Sequence, residues 1–262
     1  MARRPELGKW LLWKLMHQNE YIRPYLPQTT VLSLDRLLPF VHRFGSCYVK
    51  PVAGSRGAGV IRVGKTENGF IFHKENQPSL SFSTWSAVLL RIKQETSGRK
   101  YILSPDVRLA RVNQRAYDVR VMMQKDATGR WLCTGLCAKV AGPHSAVTNV
   151  ARSHGRVISV DEALERSLGY SPTDIRKTIR ELKALGFAAC KQMERYQPYS
   201  EIGLDVGIDQ SGRLWLLEVN TGPSHALFRH MSDPTYYHLI QRIWKERRQK
   251  HGDKSKFKTA LA

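Results

Sequence analysis

Alternating apolar and polar positions predict a series of β-strands along this chain. Apolar residues at every second position are typical of a strand with one buried face, and glycine-bearing turns separate the runs. The pattern predicts a small antiparallel sheet followed by two hairpins. The predicted strands are residues 47–52, 59–63 and 70–73 in the small sheet, 101–103 and 107–112 on either side of Pro105, 117–124 and 131–140 in the first hairpin, and 201–209 and 213–219 in the second.

Apolar residues at helical spacing, with polar caps before them, predict six helices. The clearest start is at Ser171, where Pro172 follows in the first turn and Asp174 supplies an acid three residues on. Helices and strands together indicate an α+β fold. The predicted helices are a short one within residues 8–26, then 33–42 with Ser33 or Asp35 as cap, 83–96 with Ser83 or Thr84 as cap, 161–168, a longer one from Ser171, and 233–248.

The second hairpin carries a cluster of oxygen-bearing side chains. If Asp205 faces Glu218, which is one allowed register, their Cβ atoms lie about 5 Å apart, and the two carboxylates repel unless a cation sits between them. Asn220 lies two residues beyond Glu218 and points to the same face. Such a group suits Mg²⁺ that carries nucleotide phosphates. A surface hairpin with solvated carboxylates is the alternative, and the apolar neighbours at 215–219 favour burial.

The charge balance suggests the class of partner. Lys and Arg number 42 against 22 Asp and Glu, a net charge of +20. This excess suggests a polyanion, which could be a nucleotide, a nucleic acid, an acidic polymer or an anionic membrane surface. Part of it lies in the basic run at 245–258, where we expect a frayed helix end and a disordered tail.

Cysteine spacing and hydropathy bear on location. The four cysteines match no zinc spacing, and Cys133 and Cys137 lie too far apart on one strand for a disulfide. Reduced thiols and a cytoplasmic location follow. No apolar run reaches the length of a membrane span, and the N-terminus lacks the apolar core of a signal peptide.

Two glycine-bearing segments invite a phosphate-binding interpretation. The loop 53–59, AGSRGAG, could bring backbone N–H groups and the charge of Arg56 near phosphate, although a plain hairpin connection explains it equally well. Residues 59–66, GVIRVGKT, match the Walker A pattern. Their centre is strand-like, and another strand follows where a helix is required, so we do not expect a P-loop.

The first long hairpin predicts a charged wall. Alternation places Asp118 and Arg120 on one face. Closing the turn between residues 125 and 130 places Gly135 opposite Arg120, with Lys139 further along the same face. A one-residue slip in register would move Lys139 to the other face, and a solvated face is the alternative interpretation.

The segment 141–157 is too irregular for a strand and too apolar for a linker. Loops of this length usually bind or cover something. Its donors are His144, Asn149, Arg152 and His154, and we assign neither histidine a catalytic role.

Taken in order, these segments resemble the ATP-grasp enzymes, most closely the endospore coat-associated branch called YheC/YheD-like. The resemblance covers residues 8–245 and implies an ATP-grasp fold, two α+β lobes with the nucleotide between them, without the preceding domain found in many relatives. The expected division is an N-terminal helical segment at 1–43, a small lobe at 44–105, a large lobe with the metal site at 106–245 and a basic disordered tail at 246–262. The stretches that carry the resemblance are YVKPVAGSRGAGVIRV (48–63), YDVRVMMQK (117–125) with AKVAGPHSAVTNVARSHG (138–155), and EIGLDVGID (201–209) with WLLEVNTGP (215–223).

By position, the resemblance implies how ATP is contacted. Lys9 and Lys50 look like the two lysines that contact ATP. Leu103 and Ser104 stand at the adenine hinge, without the Gln or Glu common there. Asp118 is similar to the acidic residue near the ribose. The residues that look like the phosphate lid are Gly54, Ser55, Arg56, Gly57 and Gly59.

The resemblance also implies the reacting groups. Asp205, Glu218 and Asn220 match the magnesium ligands, with the Glu-x-Asn spacing of the family. The residues that look like the group facing the triphosphate and the acyl phosphate are Arg120, Lys139, Asn149 and Arg152.

The leading hypothesis is an ATP- and Mg²⁺-dependent carboxylate-amine ligase that works through an acyl phosphate on an unidentified acceptor, with an acidic peptide or polymer as the candidate suggested by charge. Without the preceding domain, we expect the acceptor to bind the 141–157 loop, a partner protein or a second copy of the chain. An ATP-grasp kinase is one alternative. A non-catalytic basic protein that binds a polyanion in a spore coat or nucleoprotein assembly is another, with nucleic acid the less favoured partner.

Overall fold

The computed structural model describes residues 5–54, 58–75, 77–142 and 155–259. The chain divides into two compact units, each built on its own antiparallel sheet. Unit 1 comprises residues 1–18 and 26–108, and unit 2 comprises residues 19–25 and 109–262. Most of residues 1–43, the predicted N-terminal helical segment, falls in unit 1.

Unit 1 is a six-stranded sheet with three helices. Its elements are α1 (Lys9–His17), β1 (Thr30–Val31), α2 (Leu34–Phe44), β2 (Ser46–Pro51), β3 (Ile61–Thr66), β4 (Gly69–Lys74), β5 (Leu80–Phe82), α3 (Trp85–Thr96) and β6 (Tyr101–Pro105). The strand order is β1-β6-β2-β3-β4-β5. Apolar residues of α2 and α3, such as Leu37 and Ile92, pack with the strand residues Val49, Val63 and Leu103 in one core.

The Walker-like residues lie in a β-hairpin. Gly64, Lys65 and Thr66 belong to β3 and pair directly with β4. A P-loop needs a loop and then a helix at these positions. The prediction that GVIRVGKT is not a P-loop is therefore confirmed.

Unit 2 is a second six-stranded sheet with helices on both faces. Its elements are β7 (Arg111–Val112), β8 (Arg115–Lys125), β9 (Trp131–Val140), β10 (Arg156–Ile158), α4 (Val160–Leu168), α5 (Pro172–Glu194), β11 (Glu201–Ile208), β12 (Leu214–Asn220) and α6 (Thr235–Thr259). The strand order is β10-β9-β8-β11-β12, and β7 pairs with β8.

Glycines let the helices approach this sheet closely. A Cβ on Gly186 of α5 would lie 2.7 Å from Met123 Sδ of β8, so α5 packs directly on one face. On the other face, a Cβ on Gly135 would lie 2.7 Å from Phe228, which belongs to a 3₁₀ helix at His225–His230. Phe228 and Ile240 of α6 complete a small core there.

The structure differs from the predictions at two places in unit 2. Residues 156–158, expected to be part of an irregular segment, form β10 along β9. The helix α6 continues to Thr259, so it includes most of the segment 246–262 that the sequence predicts to be a disordered tail. Among the described residues, no helix is both long and apolar enough to cross a membrane.

The predicted start of α5 is confirmed in detail. The Ser171 hydroxyl accepts from the backbone N–H of Asp174, and the Asp174 carboxylate accepts from the N–H of Ser171, which is a capping box. Ser33 stands at the same position before α2 but makes no side-chain cap hydrogen bond.

We predict that Ser171→Ala lowers the free energy of unfolding by about 1 kcal/mol, because it leaves a helix N–H without its acceptor. Urea denaturation of the purified protein measures this. Ser33→Ala is the matched control and should change stability less. Equal losses in the two variants would show that the capping hydrogen bond has no stabilising effect.

Candidate active site

One row of residues across the unit 2 sheet brings the candidate chemistry together. Cys137, Arg120, Asp205 and Glu218 are successive Cα partners on β9, β8, β11 and β12. Directly opposed residues point to the same face of a sheet. The four side chains therefore share one face, and the predicted pairing of Asp205 with Glu218 is present.

The next row continues the cluster with Lys139, Asp118 and Gly207, again successive partners. Lys139 Nζ lies 2.9 Å from Asp118 Oδ1 and 2.9 Å from Asp205 Oδ1. Arg120 donates from Nε to Asp205 Oδ1 at 2.7 Å and from Nη2 to Asp205 Oδ2 at 3.2 Å. Two acids and two cations thus form one connected network with balanced formal charge.

Because the network is buried, its charges interact strongly with one another. The side chains of Asp118, Lys139 and Asp205 are no more than 10% exposed. Burial alone would raise the pKa of Asp205, but Lys139 and Arg120 outweigh it and hold that pKa well below its usual range. Burial would likewise lower the pKa values of Lys139 and Arg120, and the neighbouring acids instead raise both. All three groups are charged at neutral pH.

The row also contains a cysteine that is not suited to nucleophilic attack. Cys137 is fully buried opposite Arg120. Burial raises its thiol pKa to about 12 despite the nearby cations. Because the thiolate is the reactive form, Cys137 acts as a packing residue.

A β-bulge in β9 corrects the predicted register of the first hairpin. Lys125 pairs with Trp131 near the turn, and the register shifts so that Thr134 is an extra residue. Gly135 therefore lies opposite Met122, and the prediction that it faces Arg120 is wrong. Without the bulge, Lys139 would pair with Tyr117 and point away from Asp118.

A second bulge places Glu218. Val206 pairs with Leu216 while Asp205 pairs with Glu218, so Leu217 is the extra residue of β12. Its side chain lies over Gly207, where a Cβ would be 3.1 Å from Leu217 Cδ1. Without this bulge Asp205 would face Leu217, and Glu218 would point to the opposite face.

Asn220 joins the site from the end of β12. Its Nδ2 donates to Asp205 Oδ2 at 3.3 Å. Its Cα partner is Gly203, where a Cβ would lie 2.7 Å from Pro223 and 3.3 Å from Arg120 Cδ. Only glycine leaves room there for both neighbours.

The residues predicted to bind Mg²⁺ fit a magnesium ion by donor chemistry. Asp205, Glu218 and Asn220 offer two carboxylates and an amide oxygen from one face, which are hard ligands of the kind Mg²⁺ prefers. Within the described residues, no group of three His, Cys, Asp or Glu side chains is arranged to hold a metal ion. The proposed set instead combines two carboxylates with the Asn220 amide. The Asp205 oxygens already contact Arg120, Lys139 and Asn220, so this carboxylate would be shared between metal and cations.

The candidate nucleotide contacts in unit 1 lie near the glycine loop. Lys9 donates from Nζ to Gly54 O at 2.6 Å and from its backbone N–H to Val52 O at 2.9 Å, which ties the start of α1 to this loop. Gly54 and Gly59 have φ values of +119° and +73°, a region that favours glycine. Lys50 is half-buried on β2, with Nζ 5.3 Å from the Tyr48 ring centroid.

Both predicted hinge residues are buried. The Leu103 side chain belongs to the unit 1 core. Ser104 lies opposite Tyr48, and its buried hydroxyl makes no hydrogen bond to the part of the chain that the structure describes. The remaining candidates, Ser55, Arg56, Gly57, Asn149 and Arg152, lie outside the described residues.

The sequence patterns missed a histidine beside this site. His225 Nε2 lies 2.9 Å from Glu201 Oε2, on the face that also carries Asp205. The alternation Glu201, Gly203, Asp205 along β11 is the signal that could have placed Glu201 on this face. Nothing in the sequence indicated its partner, because His225 follows an irregular segment.

We predict that Asp205→Asn lowers the free energy of unfolding by about 3–5 kcal/mol, since it leaves Arg120 and Lys139 with one buried acid between them. Denaturation of wild type and variant measures this loss. Glu165→Gln changes an exposed acid of unit 2 and is the control, for which little change is expected.

The loss of stability caused by Asp205→Asn should depend on pH. Because the pKa of Asp205 is depressed in the folded protein, its contribution to stability is complete above its ordinary pKa of 3.8 and is lost as the pH falls from there. The stability difference between wild type and Asp205→Asn should therefore narrow below that pH. A constant difference through this range would contradict the ionised, paired state of Asp205.

Solved structures with the same architecture are ATP-grasp enzymes. The chain is similar to the C-terminal domain of K. lactis Pby1, an ATP-grasp enzyme interacting with the mRNA decapping enzyme Dcp2, with 15% identity, a TM-score of 0.53, and coverage of 92% of this chain and 71% of that one. It is also similar to PurK, N5-carboxyaminoimidazole ribonucleotide synthetase, in its ADP complex, with 9% identity, a TM-score of 0.54, and coverage of 90% and 51%. At such identities these similarities show the fold alone.

Two curated relatives come from Bacillus subtilis strain 168. The endospore coat-associated protein YheD is 24% identical over 239 residues, covering 88% of this chain and 51% of YheD. The endospore coat-associated protein YheC is 26% identical over 230 residues, covering 82% of this chain and 59% of YheC. The chain thus spans only about half the length of these relatives.

The family described as YheC/D like ATP-grasp matches residues 2–246, which is nearly the whole chain. The fold and the predicted resemblance agree with this match. The chain belongs to the YheC/D-like ATP-grasp family.

Proposed function

We propose that this protein is an ATP- and Mg²⁺-dependent ligase that joins a carboxylate to an amine. The family and the fold support ATP-dependent, ligase-type activity. The observation that carries the finer proposal is the buried network of Arg120, Lys139, Asp118 and Asp205 in line with Glu218. It concentrates fixed cations beside oxygen ligands, which is what charge stabilisation during phosphoryl transfer requires.

In the proposed reaction, a carboxylate oxygen of the substrate attacks the γ-phosphorus of ATP and ADP leaves. An amine then attacks the carbonyl carbon of the acyl phosphate, phosphate leaves, and the nitrogen loses one proton. No protein nucleophile is needed, in keeping with the neutral Cys137 thiol.

The cations of the network have defined tasks in this proposal. Lys139 forms ion pairs with Asp118 and Asp205 and is proposed to donate a hydrogen bond to a phosphate oxygen as well. Arg120 is held by two bonds to Asp205 and presents its charge in a fixed orientation. Such preorganised donors need little rearrangement as negative charge develops.

Asp205, Glu218 and Asn220 would hold Mg²⁺, which when bound neutralises charge on the phosphates. In unit 1, Lys9, Lys50 and the glycine loop from Gly54 to Gly59 are the proposed nucleotide contacts. Arg152 and Asn149 are proposed to face the phosphates as well.

The acceptor proposed is an acidic peptide or polymer, because a net charge of +20 favours association with an anion. A cytoplasmic location with association to the spore is proposed from the reduced thiols and from the two endospore coat-associated relatives. A partner protein or a second copy is proposed to complete the acceptor site.

A mass-resolved screen tests the reaction. The protein is incubated with ATP, Mg²⁺ and panels of acidic peptides and amines, and products are identified by mass. Two joined substrates with ADP release support the ligase, a product heavier by one phosphoryl group indicates the kinase, and ATP-independent, salt-sensitive polyanion binding alone indicates the non-catalytic alternative.

We predict that Glu218→Gln removes Mg²⁺-dependent ATP binding. The loss should exceed the roughly 10–100-fold that an outer-shell change typically causes, because Glu218 would be a direct ligand. Calorimetric titration of ATP with and without Mg²⁺ measures it, with Glu165→Gln as control. Unchanged Mg²⁺-dependent binding in Glu218→Gln would exclude the proposed metal site.

A further inference from the structure

A second polar cluster lies on the site face of the unit 2 sheet, next to the Gly203 row. Gln124 and Glu201 are Cα partners, and Gln124 donates from Nε2 to Glu201 Oε1 at 3.0 Å. The other carboxylate oxygen of Glu201 lies 2.9 Å from His225 Nε2. On the far side of the ring, Gln241 Nε2 lies 3.0 Å from His225 Nδ1. Four elements, β8, β11, the 3₁₀ helix and α6, thus contribute to one connected cluster, in which His225 contacts Glu201 and Gln241.

The cluster is well buried and its proton positions are constrained. The side chains of His225 and Glu201 are 16% and 17% exposed. With the amide nitrogen of Gln241 on Nδ1, that ring atom accepts and the Nε2 proton faces Glu201. The Trp244 ring meets His225 edge-on, with centroids 6.1 Å apart. Both ring nitrogens of His225 therefore have a side-chain partner.

This cluster is joined to the proposed metal ligands by a very short segment. Asn220 is the last residue of β12, and His225 is the first of the 3₁₀ helix, so only residues 221–224 lie between them. Within that segment Pro223 packs on Gly203, directly opposite Asn220 on β11. The stem of Arg120 contacts the same point.

Pro223 and His225 therefore hold the segment 221–224, which follows β12, against β11. His225 is held by Glu201, which lies two residues before Gly203 on the same strand and face. If His225 were released, the segment could lift from Gly203, and Asn220 at the end of β12 would be less firmly held.

We propose that His225, held by Glu201 and Gln241, is a positioning residue for the magnesium site. It fixes residues 221–224 and thereby the orientation of Asn220, without touching substrate or metal. This inference rests on the proposed function of the site.

The test measures how ATP binding depends on Mg²⁺ in the full chain. Wild type, His225→Ala, His225→Gln and Tyr25→Phe are titrated with Mg²⁺ at fixed ATP by calorimetry. Glutamine can donate from Nε2 to Glu201 as histidine does. Tyr25→Phe is the matched control, because it removes one hydrogen bond to another glutamate of unit 2, from Tyr25 Oη to Glu181 Oε1 at 2.9 Å.

We expect the Mg²⁺ midpoint to rise about tenfold in His225→Ala, as for loss of an outer-shell partner. It should recover largely in His225→Gln and stay unchanged in Tyr25→Phe, and ATP binding without Mg²⁺ should be equal in all four. A wild-type midpoint in His225→Ala would overturn the inference. So would a matching loss of Mg²⁺-free ATP binding, since that indicates general damage.

Hydrogen exchange separates this inference from the proposed function. If wild type binds no ATP with Mg²⁺, the proposed function fails, and amide exchange at residues 220–222 and 224 then decides whether His225 restrains the segment. Faster exchange there in His225→Ala than in His225→Gln and Tyr25→Phe supports the restraint. Equal exchange in all variants overturns it. Where the alanine variant does not fold, His225→Phe, which keeps a ring but cannot pair with Glu201 or Gln241, takes its place.

Discussion

The pairing of buried charges governs the architecture of unit 2. An isolated carboxylate at the depth of Asp205 would be strongly destabilising, so each acid of the cluster needs a cation within contact distance. The strand order provides these pairings, because β8 lies between β9 and β11 and supplies both Asp118 and Arg120 to the centre of the sheet. Lys139 then comes from one neighbouring strand and Asp205 from the other. The cost of burying these charges is offset only in this topology and register.

Two one-residue bulges make that register compatible with the hairpin turns. A regular ladder from either turn would send Lys139 or Glu218 to the opposite face, because side chains alternate with a period of two. The extra residues Thr134 and Leu217 each shift the alternation by one step. Bulges are common beside functional sites for this reason. Gly203 and Gly207 then provide the space that the displaced chains occupy.

Much of this could be predicted from the sequence where the determinants are local. The capping box at Ser171 and the strand character of GVIRVGKT depend on a few adjacent residues, and both are confirmed. The facing of Asp205 and Glu218 followed from alternation and one permitted register. Strands as short as β1 and β5 were not predicted, because two or three residues carry too little periodicity to be distinguished from a turn.

The rest depends on interactions distant in sequence. The register around Gly135 depends on the position of a bulge, and no turn residue indicates that position. That Asp205 is held by Arg120 and Lys139 could not be read from spacing, since 85 residues separate Asp205 from Arg120. The tie between Glu201 and His225 depends likewise on the path of residues 221–224. Sequence patterns indicated which residues share a face, and tertiary packing decided which of them touch.

Because residues 19–25 belong to unit 2, this unit cannot complete its folding early in synthesis on the ribosome. Tyr25 donates a hydrogen bond to Glu181, which is synthesised 156 residues later, and Arg213 donates to the carbonyl of Pro24 across 189 residues. At ordinary elongation rates this early segment waits on the order of ten seconds for its partners to emerge. A contiguous fragment that begins at residue 109 would lack both contacts permanently. Unit 2 is therefore a structural domain but not a contiguous one, and its completion links residues 19–25 to residues synthesised 156 and 189 positions later.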